Sequence, residues 1–160
     1  MKKQWLLIAL AVAIIGTAIV QHFRNAVTPA EDAANINLGW LTDFSAAKAR
    51  AQAKNKLLLI NFTGSDWCPP CIRLRKEVFS TPEFARYARE YLVLLEADFP
   101  RRKQLPQAQQ AANEALAEEF RISAFPTIVI LNPEGKKLGN LGYTPGGPNP
   151  FIRKIEQLRR

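Results

Sequence analysis

The sequence predicts an α/β fold: a central mixed sheet flanked by helices, with an N-terminal hydrophobic signal or anchor helix ahead of it. Three observations carry this. Apolar runs at 57–62, 91–97 and 127–131 alternate with polar stretches of helical length, the pattern of strands buried on both faces of a sheet. A turn signal and a further short strand follow the third run, so a closing hairpin makes the sheet mixed. The chain has 160 residues, 48% apolar and 22% charged, enough for one globular domain with a sizeable core plus an appendage.

The appendage is the N-terminus. Lys2 and Lys3 precede a charge-free run from Trp5 to Val20, and polar Gln21, His22, Arg24 and Asn25 follow it. At 16 residues the run is shorter than the ~20 of a full membrane-spanning helix, which favours a cleaved export signal. No Ala-x-Ala site closes it, however, and extension through Phe23 would nearly span a bilayer, so a cleaved signal and an uncleaved anchor both stand. Either way the lysines stay in the cytoplasm and the remainder is periplasmic or otherwise extracytoplasmic, held at the inner membrane by residues 5–23 if uncleaved. Residues 1–24 are read as this segment, 25–37 as a polar, Ala-rich tether and 38–160 as the folded domain.

Within the domain, Leu38, Trp40 and Leu41 come first. Thr42 or Asp43 caps a helix to about Lys54, ended by Asn55-Lys56. Leu57 to Phe62 is the first strand, and Thr63-Gly64-Ser65-Asp66 turns the chain. The next helix starts at the cysteines, where Pro69 and Pro70 suit a first turn. It continues through Val78, with Ile72, Arg75 and Phe79 on one stripe and Leu74 and Val78 on another. Thr81 caps a helix that Pro82 begins. Tyr91 to Ala97 is the second strand, Asp98-Phe99-Pro100 closes it, and Arg101 to Pro106 is a basic loop. Gln107 to Phe120 reads as a helix with Leu116 and Phe120 facing a core. Thr127 to Leu131 is the third strand, Asn132-Pro133-Glu134-Gly135 a turn and Lys136 to Leu141 an edge strand. Gly142 to Pro150 is a loop, and Phe151 to Leu158 a short amphipathic helix.

Chemistry concentrates in Trp67-Cys68-Pro69-Pro70-Cys71, which holds both cysteines of the chain. Such a pair can be a redox couple, half of a zinc site or an ordinary disulfide. Zinc needs two further ligands, and the single histidine, His22, lies in or near the hydrophobic segment; neither metal nor cofactor is expected. A static 68–71 bridge closes a very small loop and removes little chain entropy. At a helix N-terminus, partial positive charge and unpaired amides stabilise a thiolate. Cys68 is then the exposed nucleophile and Cys71, one turn inward, the buried resolving thiol. Pro69 and Pro70 have no amide proton, so two donors to the Cys68 sulfur are missing and the Cys71 amide remains. The thiolate is then only moderately stabilised, which points to a reductase or isomerase rather than a strong oxidant.

The Trp67–Cys71 motif after an apolar strand, and Phe125-Pro126-Thr127 before another, resemble the thioredoxin superfamily. Asn61 to Asp66, Glu77 to Glu83, Leu141-Gly142-Tyr143 and Pro145-Gly146-Gly147 look like the bacterial exported thioredoxin-like proteins, relatives of the C-terminal domain of thiol:disulfide interchange reductases. The resemblance covers about Leu38 to Leu158. It implies a thioredoxin-like fold and protein disulfide oxidoreductase activity, with Cys68 and Cys71 as the catalytic pair. It implies a cis Phe125–Pro126 peptide beside them, whose backbone edge pairs with an extended substrate, and a Trp67 that shapes the docking surface. Two departures follow. The buried acid of thioredoxins is Asn61 here, which cannot titrate, and Leu94 or Leu95 stands for a lysine of the next strand. Proton transfer from Cys71 then falls to water or to a group such as Glu96.

The partners expected are proteins with thiols or disulfides, a transmembrane electron donor, and the membrane itself if the N-terminal segment is retained. The net charge is +8 overall and +5 from Glu31 onward, where 19 basic residues meet 14 acidic ones. No Arg/Lys stripe interleaves with aromatics, so nucleic acid is not expected. A reading of another class stands beside the enzyme: a non-catalytic binding or holding module with a static disulfide, gripping extended chains around Pro126. Arg73, Arg75, Lys76 and Arg101-Arg102-Lys103 would then be a docking patch for acidic partners, although solubility accounts for most of these charges. Glu118-Glu119 reads as a solvated helix face. Gly142 to Gly147 lacks both the lysine and the strand-to-helix context of a phosphate loop.

Overall fold

The computed structural model describes residues 38–160. The expected signal or anchor and its tether, 1–24 and 25–37, lie outside the described residues. Among the described residues no helix is long and apolar enough to cross a membrane.

The element order is α1 (Phe44–Lys54), β1 (Leu57–Thr63), α2 (Pro69–Leu74) continuing into a π-helical segment (Arg75–Phe79), α3 (Pro82–Tyr91), β2 (Leu92–Asp98), α4 (Gln107–Glu119), β3 (Thr127–Leu131), β4 (Lys137–Leu141) and α5 (Pro148–Arg159). The sheet order is β2-β1-β3-β4. β1 pairs in parallel with β2 and antiparallel with β3, and β3 is antiparallel to β4. The sheet is therefore mixed, as the closing hairpin implied. Leu41 bridges Leu95 along the outer side of β2.

Alternation along β1 divides the core in two. Leu58, Ile60 and Phe62 pack with Ala47, Ala51 and Leu116, so α1 and α4 cover that face. Leu57 and Leu59 pack with Leu74, Val78, Phe79, Phe84, Phe151 and Ile155, so α2, the π segment, α3 and α5 cover the other. Two covered faces explain why β1 reads as an unbroken apolar run.

The helix boundaries follow local chemistry. Of the two cap candidates for α1, Asp43 takes the role, accepting from the Ala46 amide at 2.9 Å. Asn55, at φ 50°, ends the helix in the left-handed region. Thr81 accepts from the Phe84 amide at 3.3 Å and Pro82 begins α3. Several boundaries differ from expectation, those of β2 and α5 most visibly. Tyr91 closes α3, so β2 starts at Leu92 and reaches Asp98. α5 begins at Pro148 rather than Phe151, because proline is tolerated in a first turn that lacks amide partners anyway.

The helix after the cysteines is α-helical only to Leu74. A π turn holds an extra residue and re-aims the side chains after it. Phe79 therefore turns inward, 5.2 Å from Trp40, 5.0 Å from Phe84 and 5.7 Å from Phe151 between ring centroids. Ile72 and Arg75, expected on the same stripe, face solvent instead.

Phe151 is 1% exposed and joins α5 to this aromatic cluster. Truncating such a residue leaves a cavity as well as lost transfer energy. Phe151→Ala is expected to lower stability by about 3–5 kcal/mol, read from the shift in denaturant midpoint; a loss below ~1 kcal/mol would show that the cluster does not hold α5 to the sheet.

Candidate active site

Between Thr63 and Pro69 the chain leaves β1 and enters α2. The Gly64 carbonyl accepts from the Trp67 amide at 3.3 Å and the Cys68 amide at 3.0 Å. A β-carbon on Gly64 would lie 2.5 Å from the Trp67 ring, so the close approach of the indole requires glycine there. The Ser65 amide and hydroxyl both donate to the Asp98 carboxylate, at 3.0 and 2.6 Å. Trp67 donates from Nε1 to the Phe99 carbonyl at 2.7 Å, and the Phe99 amide donates to the Thr63 carbonyl at 2.8 Å.

An aromatic wall stands beside the cysteine turn. Trp67 meets Phe125 edge-on at 6.0 Å, and Phe125 stacks on Phe99 at 5.0 Å. The Phe125–Pro126 peptide is cis. The loop after β4 reaches the same place: a β-carbon on Gly142 would lie 3.9 Å from the Pro126 carbonyl oxygen. Tyr143 donates to Glu77 at 2.7 Å, and its ring carries the Arg73 guanidinium at 5.2 Å. That carboxylate contact raises the Tyr143 phenol above its ordinary pKa.

Cys68 and Cys71 form a disulfide, their Cα atoms 5.3 Å apart. Cys68 is the N-cap of α2, and its sulfur accepts from the Cys71 amide at 3.3 Å. That is the donor left available when residues 69 and 70 are proline. The expectation of an exposed Cys68 does not hold in this disulfide form: Cys68 is 3% exposed and Cys71 4%. Exposed beside the pair are Pro69 and Ile72, the latter at 48%.

Asn61 lies on the face of β1 that α2 and the π segment cover, and it is 3% exposed. Its Oδ1 has no hydrogen-bond partner among the described residues. Glu96 is its register partner on β2 and pairs with Arg75 of the π segment. Leu94 packs in the core on the Asn61 side and Leu95 on the other. Among the described residues no group of three or more His, Cys, Asp or Glu is gathered as a metal site would require.

Sequence reasoning missed Asp66. Its carboxylate accepts from three successive amides, Arg101 at 3.0 Å, Arg102 at 2.7 Å and Lys103 at 3.2 Å. The Arg101 guanidinium lies 3.7 Å from the Trp67 ring centroid. An aspartate in a turn is ordinary on local grounds, and nothing local marks partners so far along the chain. Asn113 was missed too. It is buried on α4, donates to the Asp98 carbonyl at 2.8 Å and accepts from Gln109 at 2.8 Å.

Residues 44–158 match the family model described as a thioredoxin-like domain. Disulfide bond reductase DsbH of Chlamydia pneumoniae is 32% identical over 75% of this chain and 72% of its own length. Thiol:disulfide interchange protein DsbD of Cronobacter sakazakii is 34% identical over 58% of this chain, but only 15% of its own length. The solved structure of a DsbH oxidoreductase matches with a TM-score of 0.72 at 31% identity, covering 76% of this chain and 84% of that one. The chain belongs to the thioredoxin-like family and is an oxidoreductase of that type.

The Asp66 contacts carry a pH dependence. The Arg101 amide, followed by those of Arg102 and Lys103, holds the Asp66 carboxyl below its ordinary pKa. A carboxyl lowered by folding contributes stability above its unfolded pKa and loses it as pH falls through the folded one. The Arg101–Lys103 amides are expected to be protected from hydrogen exchange at pH 7 and to lose protection below ~3.9. In Asp66→Ala that protection is absent at pH 7 as well. Equal protection in both proteins would remove Asp66 as the anchor.

Proposed function

We propose that this chain reduces disulfides in proteins outside the cytoplasm by cycling Cys68 and Cys71 between dithiol and disulfide. The observation that carries the reading is the Cys68–Cys71 bridge at the N-cap of α2, with the Cys71 amide on the Cys68 sulfur. In the dithiol form that amide and the helix end favour the Cys68 thiolate. The thiolate attacks one sulfur of a substrate disulfide, and a mixed disulfide forms. The other substrate sulfur leaves as a thiolate and takes a proton from solvent. Cys71, once deprotonated, attacks the Cys68 sulfur. This closes the 68–71 disulfide and releases the second substrate thiol. Two electrons pass to the substrate, and a dithiol donor at the membrane returns them.

The direction rests on the prolines. One motif amide reaches the Cys68 sulfur where three could, so the reduced form is not unusually favoured and the couple is a reductant or isomerase rather than a strong oxidant. Two relatives, a disulfide bond reductase and a thiol:disulfide interchange protein, support it. Trp67, Phe125 and Pro126 form the platform for an extended substrate. Residues 1–24 export or anchor the domain, 25–37 tether it, and 38–160 carry the site.

Asn61 supports a slow resolving step. It is buried on the side of the sheet that carries Cys71, yet an amide cannot take the thiol proton. Glu96, committed to Arg75, is the acid nearest in register. The burial of Cys68 favours a second reading, a holding module with a static disulfide.

Insulin reduction driven by dithiothreitol separates the two. The enzyme catalyses it, loses it entirely in Cys68→Ser, and has a potential nearer ~−270 mV than ~−120 mV. No catalysis, with aggregation suppression retained in Cys68→Ser, would establish the module. Asn61→Asp is expected to speed release from a mixed disulfide by roughly tenfold or more, as a positioned base does. An unchanged rate would take Asn61 out of the resolving step.

A further inference from the structure

We propose that Arg101, Arg102 and Lys103 select partners that carry acidic side chains beside the disulfide being exchanged. The inference rests on the exchange chemistry above and adds to it a substrate class. The loop's position is fixed. Asp66, two residues before Cys68, binds the three backbone amides. Arg101 lies on Trp67. With the backbone turned toward Asp66, the side chains of Arg102 and Lys103 are exposed.

The acids around the cysteine turn are engaged inside the molecule. Glu96 pairs with Arg75, Asp98 accepts from Ser65, and Glu77 accepts from Tyr143. Asp66 lies against the loop backbone, and Asp98 and Glu114 share a cleft of about 350 Å³ with Arg101 and Lys103, so these acids offset part of the loop's charge. Arg102 lies outside the lining of that cleft, and neither Arg102 nor Lys103 is in the ion pairs among the described residues, Arg75–Glu96, Glu83–Arg86 and Glu156–Arg159. Ile72, next in the chain after Cys71, is exposed as well. Exposed cations on a loop that Asp66 and Trp67 hold beside the cysteine turn fit a protein segment with acidic flanks. Such a surface raises encounter rates with anionic partners by roughly 10–10³ at low salt, and holding the loop in advance spares the partner its ordering cost.

The test compares three disulfide peptides, flanked by Asp/Glu, by Ser or by Lys, and uncharged hydroxyethyl disulfide. The 160-residue chain is set against the double variant R102E/K103E, which keeps both backbone amides. The expected result is reduction of the acidic peptide roughly tenfold faster than the lysine peptide at low ionic strength. The ratio should collapse near 1 M salt, where the Debye length is ~3 Å, and invert in the variant. Hydroxyethyl disulfide should be reduced equally by both proteins. Equal peptide ratios in the two proteins, or a preference that survives high salt, would overturn the proposal. So would variant-sensitive binding to anionic phospholipid vesicles without any peptide preference, which would assign the loop to a membrane surface. Failure of the wild-type chain to reduce hydroxyethyl disulfide would instead overturn the exchange reading beneath it.

Discussion

Strand β1 exists as a strand only while both its faces are covered. All seven of its residues are buried, and β2 and β3 take its two backbone edges. Each large apolar side chain there contributes about 1.5–3 kcal/mol by leaving water, which requires helices on both sides. α1 and α4 supply one cover, and α2, α3 and α5 the other. The strand end is then a fixed point from which the cysteine turn departs. Asn61 and, at the strand end, Thr63 are the polar residues of this run, and the Asn61 Oδ1 has no hydrogen-bond partner among the described residues. A buried acceptor without a donor costs about 1–3 kcal/mol, and this one lies two residues before the strand end. A local rule broken beside a reactive pair is where function and stability are expected to part.

The parallel register of β1 and β2 decides what can be built there. Thr63 is opposite Asp98, so the two chains leave the sheet at the same edge. Their exits are joined by Ser65 to Asp98, by Trp67 to Phe99 and by Asp66 to the amides of 101–103. Sites in α/β sheets form at the carboxyl ends of strands for this reason. Phe125 completes the wall from the antiparallel side, arriving just ahead of β3.

The sheet was legible because burial on two faces leaves unbroken apolar runs, and the caps at Asp43 and Thr81 because their hydrogen bonds span three residues. The Cys68–Cys71 pairing was legible from spacing and helix context. Three things were not. The π turn after Leu74 contains no residue that breaks a helix, so nothing local marks it. The burial of Cys68 depends on what packs over the helix end, which no local pattern gives. The Asp66 contacts join positions 35 to 37 residues apart, beyond any local pattern.

Asp66 shows how one acid can fix a basic loop without silencing it. Bound side chain to side chain, Asp66 and Arg101 would neutralise each other. Bound to backbone amides, the carboxylate sets the loop's path and leaves the guanidinium to Trp67, a contact worth ~0.5–1 kcal/mol where exposed. Arg102 and Lys103 keep their charge for a partner. The carboxyl titrates below the ordinary aspartate range, so the loop does not change with pH near neutrality. Of the neighbouring acids, Glu96 is neutralised by Arg75, whereas Asp98 and Glu77 accept from the neutral Ser65 and Tyr143 hydroxyls and keep their charge. The hydrogen bonds that build the cysteine turn thereby also fix where its acids and cations stand.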